Sequence, residues 1–307
     1  MLASLAAPAL AEECTGTFLR KFGGESSGAG RLSGPYGVTT DSKGNVWVAD
    51  SNHFRVQEFN ASGEFVRQFG SAGGGDGLFN KNAFSGYPGP ADLAVDGSGH
   101  VYVTDPGNYR VQEFSSEGVF IRKFGSNGSG NGQFGLNGPR GLAVDGSGNV
   151  YVTDPEHNRV EKFSSEGTYL SQFGSEGTGN GQFSSPRGID VDSEGNILVA
   201  DTGNNRYQEF NSSAEFVRKV GSAGSGNGQF SSPESIAVDS EGKVWVADKG
   251  NNRLQRFSAK GAYLSQIGTP GPNDGQLSEP RGVAVDSKGH VFAADTLNDR
   301  VAEFSCK

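Results

Sequence analysis

Residues 185–221 read SPRGIDVDSEGNILVADTGNNRYQEFNSSAEFVRKVG, and variants of this segment recur along nearly the whole chain. The Val-Ala-Asp triplet inside it ends at Asp201. Its counterparts end at Asp50, Asp105, Asp154, Asp248 and Asp295, at steps of 55, 49, 47, 47 and 47 residues. Six copies at a period of about 40–50 residues signal a propeller or a solenoid. Within the segment, Gly188–Asp192, Ile197–Asp201, Arg206–Phe210 and Phe216–Val220 each read as a short strand, separated by Ser-Glu-Gly-Asn, Thr-Gly-Asn-Asn and a polar hairpin. Such β-rich runs with Gly, Asn and Asp turns predict an antiparallel meander. Four strands in each of six repeats predict an all-β, six-bladed β-propeller of four-stranded antiparallel blades. No helical periodicity of useful length appears beyond the first eleven residues.

The ends of the chain predict how the ring closes. The sequence opens with an orphan fourth strand at 17–22 and ends after a third strand at 300–304. The N-terminal strand is therefore expected to complete the last blade as its outer edge, covering an otherwise open row of backbone groups. Aligned on the repeat, Cys14 and Cys306 both fall on the position of Ser165, in the hairpin between strands three and four. They are the only cysteines of the chain. The coincidence predicts a Cys14–Cys306 disulfide, which would persist in an oxidising compartment. Residues 1–11, MLASLAAPALA, read as a signal-peptide remnant with a small-residue cleavage site. Together these place the protein outside the cell or in the envelope or periplasm, with 12–307 forming one propeller domain, expected as a monomer.

The Pro-x-Gly entries (Pro139-Arg140-Gly141, Pro186-Arg187-Gly188, Pro280-Arg281-Gly282), the Val-Asp-x-x-Gly-Asn turn, the Val-Ala-Asp or Val-Thr-Asp triplet and the Asn-x-Arg-Val run resemble the NHL repeat family of six-bladed propellers. The resemblance spans roughly residues 15–305. It implies the fold, but not one activity: family members include extracellular sensor domains, RNA-binding domains and metal-dependent lyases. Net charge is −9 and the pI about 5.0 over 307 residues, which argues against nucleic acid as a partner. No apolar run approaches the roughly 20 residues of a transmembrane helix. The glycine-rich linkers, such as 125–134, lack the strand-loop-helix setting of a phosphate loop. Their Phe79, Phe134, Phe183 and Phe230, with Leu32 and Leu277 in the other two copies, read instead as plugs between blades. The Asp and Arg that bracket each top loop, Asp201 and Arg206 in copy four, occur six times and read as a structural corner.

Function is sought where one copy departs from the rest. The linker at 70–90 is eight residues longer than its counterparts and brings Lys81, Phe84 and Tyr87 to the top face, a common place for binding residues. The residue after the entry proline is expected at the channel mouth: Tyr36, Ala91, Arg140, Arg187, Glu234 and Arg281 around the ring. Arg140, Arg187 and Arg281 beside Tyr36, with Phe84 and Tyr87, form the candidate ligand-binding set, since the planar fork of Arg suits anionic or carbohydrate ligands. Asp92 and Ser235 replace the usual entry glycine. Asp190 replaces a small inner-strand residue, and needs Arg140, Arg187 or a cation nearby to offset its burial. Asp92, Asp190 and Glu234 are the candidate catalytic carboxylates. His53 and His157 lie in top loops, and His100 and His290 in bottom turns, in positions that other copies fill with Asn. A three-histidine metal site is not expected, nor is any cofactor. Two functions follow: a binding propeller that takes a protein or glycan on its top face, or a hydrolase or lyase acting on an anionic or carbohydrate substrate at the mouth.

Overall fold

The computed structural model describes residues 16–81 and 89–306. Six four-stranded antiparallel sheets form the blades, and helix is confined among the described residues to three-residue 3-10 turns. In blade four the strands are Ile189–Val191, Ile197–Asp201, Arg206–Phe210 and Phe216–Val220. The innermost one is shorter than its sequence suggests, yet the ladder continues past it. Arg187 N–H donates to the Ala200 carbonyl at 3.0 Å and Ala200 N–H to the Gly188 carbonyl at 2.8 Å. No described helix is long and apolar enough to cross a membrane.

The burial pattern explains the sequence pattern. Every residue of Ile197–Asp201 is buried, because a neighbouring blade covers each face of the second strand. Such a strand reads as a continuous apolar run rather than an alternation. The outer strand Phe216–Val220 alternates between exposed and half-buried. Each apolar cluster is shared by two adjacent blades. Ala143, Tyr151 and Val160 of blade three pack with Phe183, Ile189, Ile197, Val199 and Phe210. The same construction joins blade six to blade one through Phe292, Val301, Leu32, Val48 and Phe59. The linker plugs Leu32, Phe79, Phe134, Phe183, Phe230 and Leu277 are fully buried. Phe183 lies 5.6 Å from the Phe210 ring, centroid to centroid. Its seat requires Gly174, which has φ +97° and would bring a Cβ within 2.6 Å of the Phe183 ring.

The last blade is completed as expected. Thr17–Gly23 pairs antiparallel with Arg300–Ser305, with Thr17 opposite Ser305 and Phe22 opposite Val301. Arg20 forms an ion pair with Glu303, and Phe18 stands edge-on to Phe304 at 5.8 Å. Cys14 and the 1–11 segment lie outside the described residues. Cys306 packs against the blade five–six core, and its Sγ accepts from Arg256 Nη1 at 3.2 Å.

Removing one plug should leave a cavity that two rigid sheets cannot close. Phe183→Ala is expected to cost about 3–5 kcal/mol, read as a lower urea midpoint. Leu19→Ala, on an exposed outer-strand position, should be near neutral. Equal midpoints for the two variants would show that the plugs do not hold the blades together.

Candidate functional site

The top loops are held by one repeated corner. In blade four, Arg206 Nε donates to Asp201 Oδ2 at 2.7 Å, while its Nη groups donate to the linker carbonyls of Thr178, Gly179 and Gln182 at 2.8–2.9 Å. Gln208 Nε2 donates both to Asp201 Oδ2 and to the Gln182 carbonyl, and Ser184 N–H donates to Asp201 Oδ1. Asp201 is fully buried and Arg206 nearly so. The pair thus ties the strand two–three loop to the linker entering its own blade. His53 and His157 are part of this device, each placing Nδ1 against the corner aspartate, at 3.0 Å from Asp50 and 2.7 Å from Asp154. His100 and His290 face bottom-turn carboxylates, Asp96 and Asp286, on the opposite side.

A second repeated contact fixes the mouth. Thr104 Oγ1 donates to the Arg140 carbonyl at 2.8 Å and Thr153 Oγ1 to the Arg187 carbonyl at 2.6 Å. These are the threonines of the Val-Thr-Asp triplets. Where the triplet carries Ala instead, a hydroxyl just after the aspartate takes over: Ser51, Thr202 and Thr296 donate to the carbonyls of Pro90, Pro233 and Pro35. Every blade but the fifth thereby holds the entry of the next.

The six residues that follow the entry prolines do meet. Tyr36, Ala91, Arg140, Arg187, Glu234 and Arg281 line one open pocket at the top of the channel. Arg187 Nη1 lies 2.6 and 2.8 Å from the two Glu234 oxygens, and Arg281 Nη1 lies 3.3 Å from Oε1. Arg281 also pairs with Glu279 at 2.9 Å and stacks over the Tyr36 ring at 4.5 Å. Burial pushes the Glu234 carboxyl up, but Arg187, Arg281 and Lys249 outweigh it and hold the group below its ordinary range. Glu234 is therefore a fixed anion, not a proton donor. The mouth still carries Arg140, Arg187, Arg281 and Lys249 against Glu234, Glu279 and Asp92, an excess of one positive charge when Asp92 is ionised.

The three candidate carboxylates do not converge. The entry glycines form a waist below the mouth. A Cβ on Gly188 would come 2.5 Å from Ser235 Cα, and one on Gly141 2.1 Å from the Arg187 carbonyl, so the inner strands touch backbone to backbone. Asp190 lies beneath the waist, lining a lower chamber with Thr39, Ala94, Ala143, Ala237 and Ala284. Neither Arg140 nor Arg187 is among its described partners: its oxygens accept from the N–H groups of Val191 and Val238, both at 2.8 Å, which stitches blade four to blade five. Burial pushes its carboxyl up to about 6, against those two N–H bonds. Asp92 stands at the waist and accepts from Leu142 N–H at 3.2 Å. Burial pushes it up to about 7, and Asp190 adds to the rise. Phe84 and Tyr87 lie outside the described residues; Lys81 is exposed at their border. Among the described residues no group of three or more His, Cys, Asp and Glu is placed to hold a metal ion.

The NHL repeat model matches residues 32–59, 88–114, 136–163, 183–210 and 230–257. This is an NHL-repeat β-propeller. A stretch of 107 residues is 33% identical to the Drosophila melanogaster protein brain tumor, covering 34% of this chain and 10% of that protein. The chain thus spans about a tenth of that relative's length. The streptogramin B lyase structure superposes with a TM-score of 0.63 at 17% identity, over 97% of this chain and 100% of the other. A gluconolactonase from Xanthomonas campestris gives 0.65 at 15% identity, over 97% and 99%. At such identities the likeness is one of fold.

Sequence reasoning missed two features of this NHL ring. Lys249 occupies the position of Ser51, Thr202 and Thr296, and its Nζ reaches to 3.5 Å from Glu234 and 3.9 Å from Glu279. The signal was present: blade five has neither the triplet threonine nor the following hydroxyl. The residue before each corner arginine adopts a left-handed conformation, with φ between 51° and 57° in all six blades. Three blades use Asn and one Asp, but blades one and two use Phe54 and Tyr109, where a bulky side chain is strained. They flank the lengthened linker, and a Cβ on Gly89 at its end would meet Phe54 Cα at 3.1 Å.

The two arginine classes should separate in mutants. Arg206→Ala strands the buried Asp201 without its counter-ion and is expected to cost about 3–5 kcal/mol. Arg187 is a quarter exposed and shares Glu234 with two other cations, so Arg187→Ala should cost under about 1 kcal/mol. Urea midpoints of the two variants measure this; a ring that loses as much with Arg187→Ala has its mouth arginines as scaffold.

Proposed function

We propose that this chain is a secreted or cell-envelope binding propeller whose top-face mouth takes an anionic group of a protein or glycan ligand. The observation that carries the reading is the arginine cluster of the mouth. It is a local positive excess, stacked on Tyr36, in a molecule of net charge −9. Such a patch attracts anions against the field of the whole protein, and Arg gives it directional recognition of carboxylates. The hydrolase or lyase reading is weaker because two of its three carboxylates, Glu234 and Asp190, are already engaged. A general acid needs a raised pKa and access to substrate. Glu234 is accessible from the mouth but held ionised by arginines, and Asp190 lies on the far side of the waist.

The test is a panel of acidic and neutral oligosaccharides and peptides, probed with the wild type and three variants. Arg187→Ala should weaken the anionic ligands of the wild type by about 1–3 kcal/mol. Glu234→Gln, which frees the arginines, should strengthen them. Arg67→Ala, on the bottom face beside Glu58, should change nothing. Binding that survives Arg187→Ala intact, or is lost with Arg67→Ala, would remove the mouth from the reading.

The proposed location rests on the leader-like 1–11 segment and on the cysteines. The closing register puts Thr17 opposite Ser305, three residues after Cys14 and one before Cys306. A bond between the two would close a loop around almost the whole chain, at the upper end of the roughly 0–5 kcal/mol range of the loop-entropy model. Intact mass after alkylation without reductant should show no modified cysteine; two alkylated thiols would contradict the bond and the oxidising compartment together.

A further inference from the structure

The corner of blade three breaks the rule that the other blades keep. The residue two after the corner arginine is Gln57, Gln112, Gln208 and Gln255 in blades one, two, four and five, Ala302 in blade six, and Glu161 in blade three. Each of the four glutamines donates Nε2 to the corner aspartate at 2.9–3.1 Å and to a linker carbonyl. An ionised glutamate has no proton to give and would point a second negative charge at Asp154. Glu161 is fully buried, and its carboxyl oxygens make no well-formed hydrogen bond beyond the approach of the Gly132 N–H. Its Oε1 lies 2.6 Å from Arg159 Nη2, the same nitrogen that serves the Gly130 and Gln133 carbonyls. The corner is also looser: Arg159 Nε stands 3.2 Å from Asp154 Oδ2, against 2.6–2.8 Å in the other five blades.

We propose that Glu161 is held as the neutral acid in the folded ring, its proton standing in for the missing glutamine N–H, and that its ionisation loosens the corner that ties the 126–134 linker to blade three. The groups facing it are Arg159 on its own strand, Asp154 at the end of strand two, His157 in the top turn with Nδ1 on Asp154, and Tyr169 on the outer strand. The linker presents the Gly132 N–H and the Gln133 carbonyl. The same linker runs on through Gly135, whose N–H donates to Asp154 Oδ1 at 3.2 Å, to Arg140 in the mouth. Burial, opposed by Arg159 and reinforced by Asp154, pushes the Glu161 carboxyl up to about 7 from its ordinary value of 4.5. The unfolded chain then binds fewer protons than the folded one between those values, so stability falls as pH rises through this window. It is fully present below 4.5 and lost by the time the folded group has ionised.

The experiment compares melting temperatures of the wild type and Glu161→Gln from pH 4.5 to 8. The wild type should fall progressively behind the variant up to about pH 7 and then run parallel to it; Asp92 and Asp190 titrate in both proteins and cancel in the difference. The same divergence should appear in a His157→Asn background, which removes the neighbouring imidazole. Above pH 7, hydrogen exchange in the 126–134 linker of the wild type should exceed that of the matching 174–183 linker. Gln208→Glu should install a second pH dependence of the same sign in blade four, and it provides the reading if Glu161→Gln does not fold. Parallel profiles at every pH, divergence that vanishes with His157→Asn, or no added dependence in Gln208→Glu would each overturn the proposal.

Discussion

A four-stranded blade of this chain has two apolar faces and can cover neither. The second strand of each sheet is almost wholly buried, yet its neighbours within the sheet lie beside it and cannot cover its faces. The cover comes from the adjacent blades, through clusters such as Ala143, Tyr151, Phe183 and Ile197. Stability is therefore a property of interfaces between repeats, and an open row of six would leave two faces exposed to water. Pairing the N-terminal strand with Arg300–Ser305 makes the ends of the chain one blade, so the last interface costs the same covalent connection as the others. The linker plugs and the Asp–Arg corners both serve this end. The first fill the wedge between blades, and the second hold the linker that carries the plug.

That constraint explains which residues can vary. The carbonyl of each entry segment needs a donor from the previous blade, but the donor is a threonine inside the triplet in two blades and a hydroxyl after it in three. The two solutions do not occur together in any blade: the triplet threonines donate to the carbonyl of Arg140 or Arg187, and the following hydroxyls to that of the entry proline, one residue earlier. Blade five has neither, and its Lys249 is turned to the carboxylates of the mouth instead. A residue freed from the scaffold by the repeat's own logic is thus where the site acquires charge.

Most of the architecture was legible because it is written six times. Strand limits of blade four agree with the sequence reading at three strands of four, and the plugs and the closing strand lie where the repeat alignment puts them. The site was legible only in part. The entry residues Tyr36, Arg140, Arg187, Glu234 and Arg281 meet because one residue per repeat at a fixed register must share a level in the ring. Asp190 was misplaced: its direction along the inner strand decides on which side of the glycine waist it falls, and a carboxylate can be satisfied by two backbone N–H groups that carry no sequence signature. Glu161 escaped notice because Gln and Glu are close in size and differ, at this position, only in whether a proton is available.

The mouth poses the question of why an arginine cluster should contain Glu234 at all. Without it, Arg187, Arg281 and Lys249 would face one another in a half-closed cavity, with repulsion little screened at such short range. Glu234 removes that cost while the cavity is empty, yet it is one carboxylate shared among three cations, each of which also meets solvent or Glu279. An incoming anion does not have to displace it; the positive charge that it leaves uncompensated lies beside it. Arg140 stands two blades from Glu234, between Arg187 and the small Ala91. The charged entry residues therefore fall on blades three to six, with Tyr36 and Ala91 on the other two, and a ligand that fits the cavity is oriented by that difference before any specific hydrogen bond is formed.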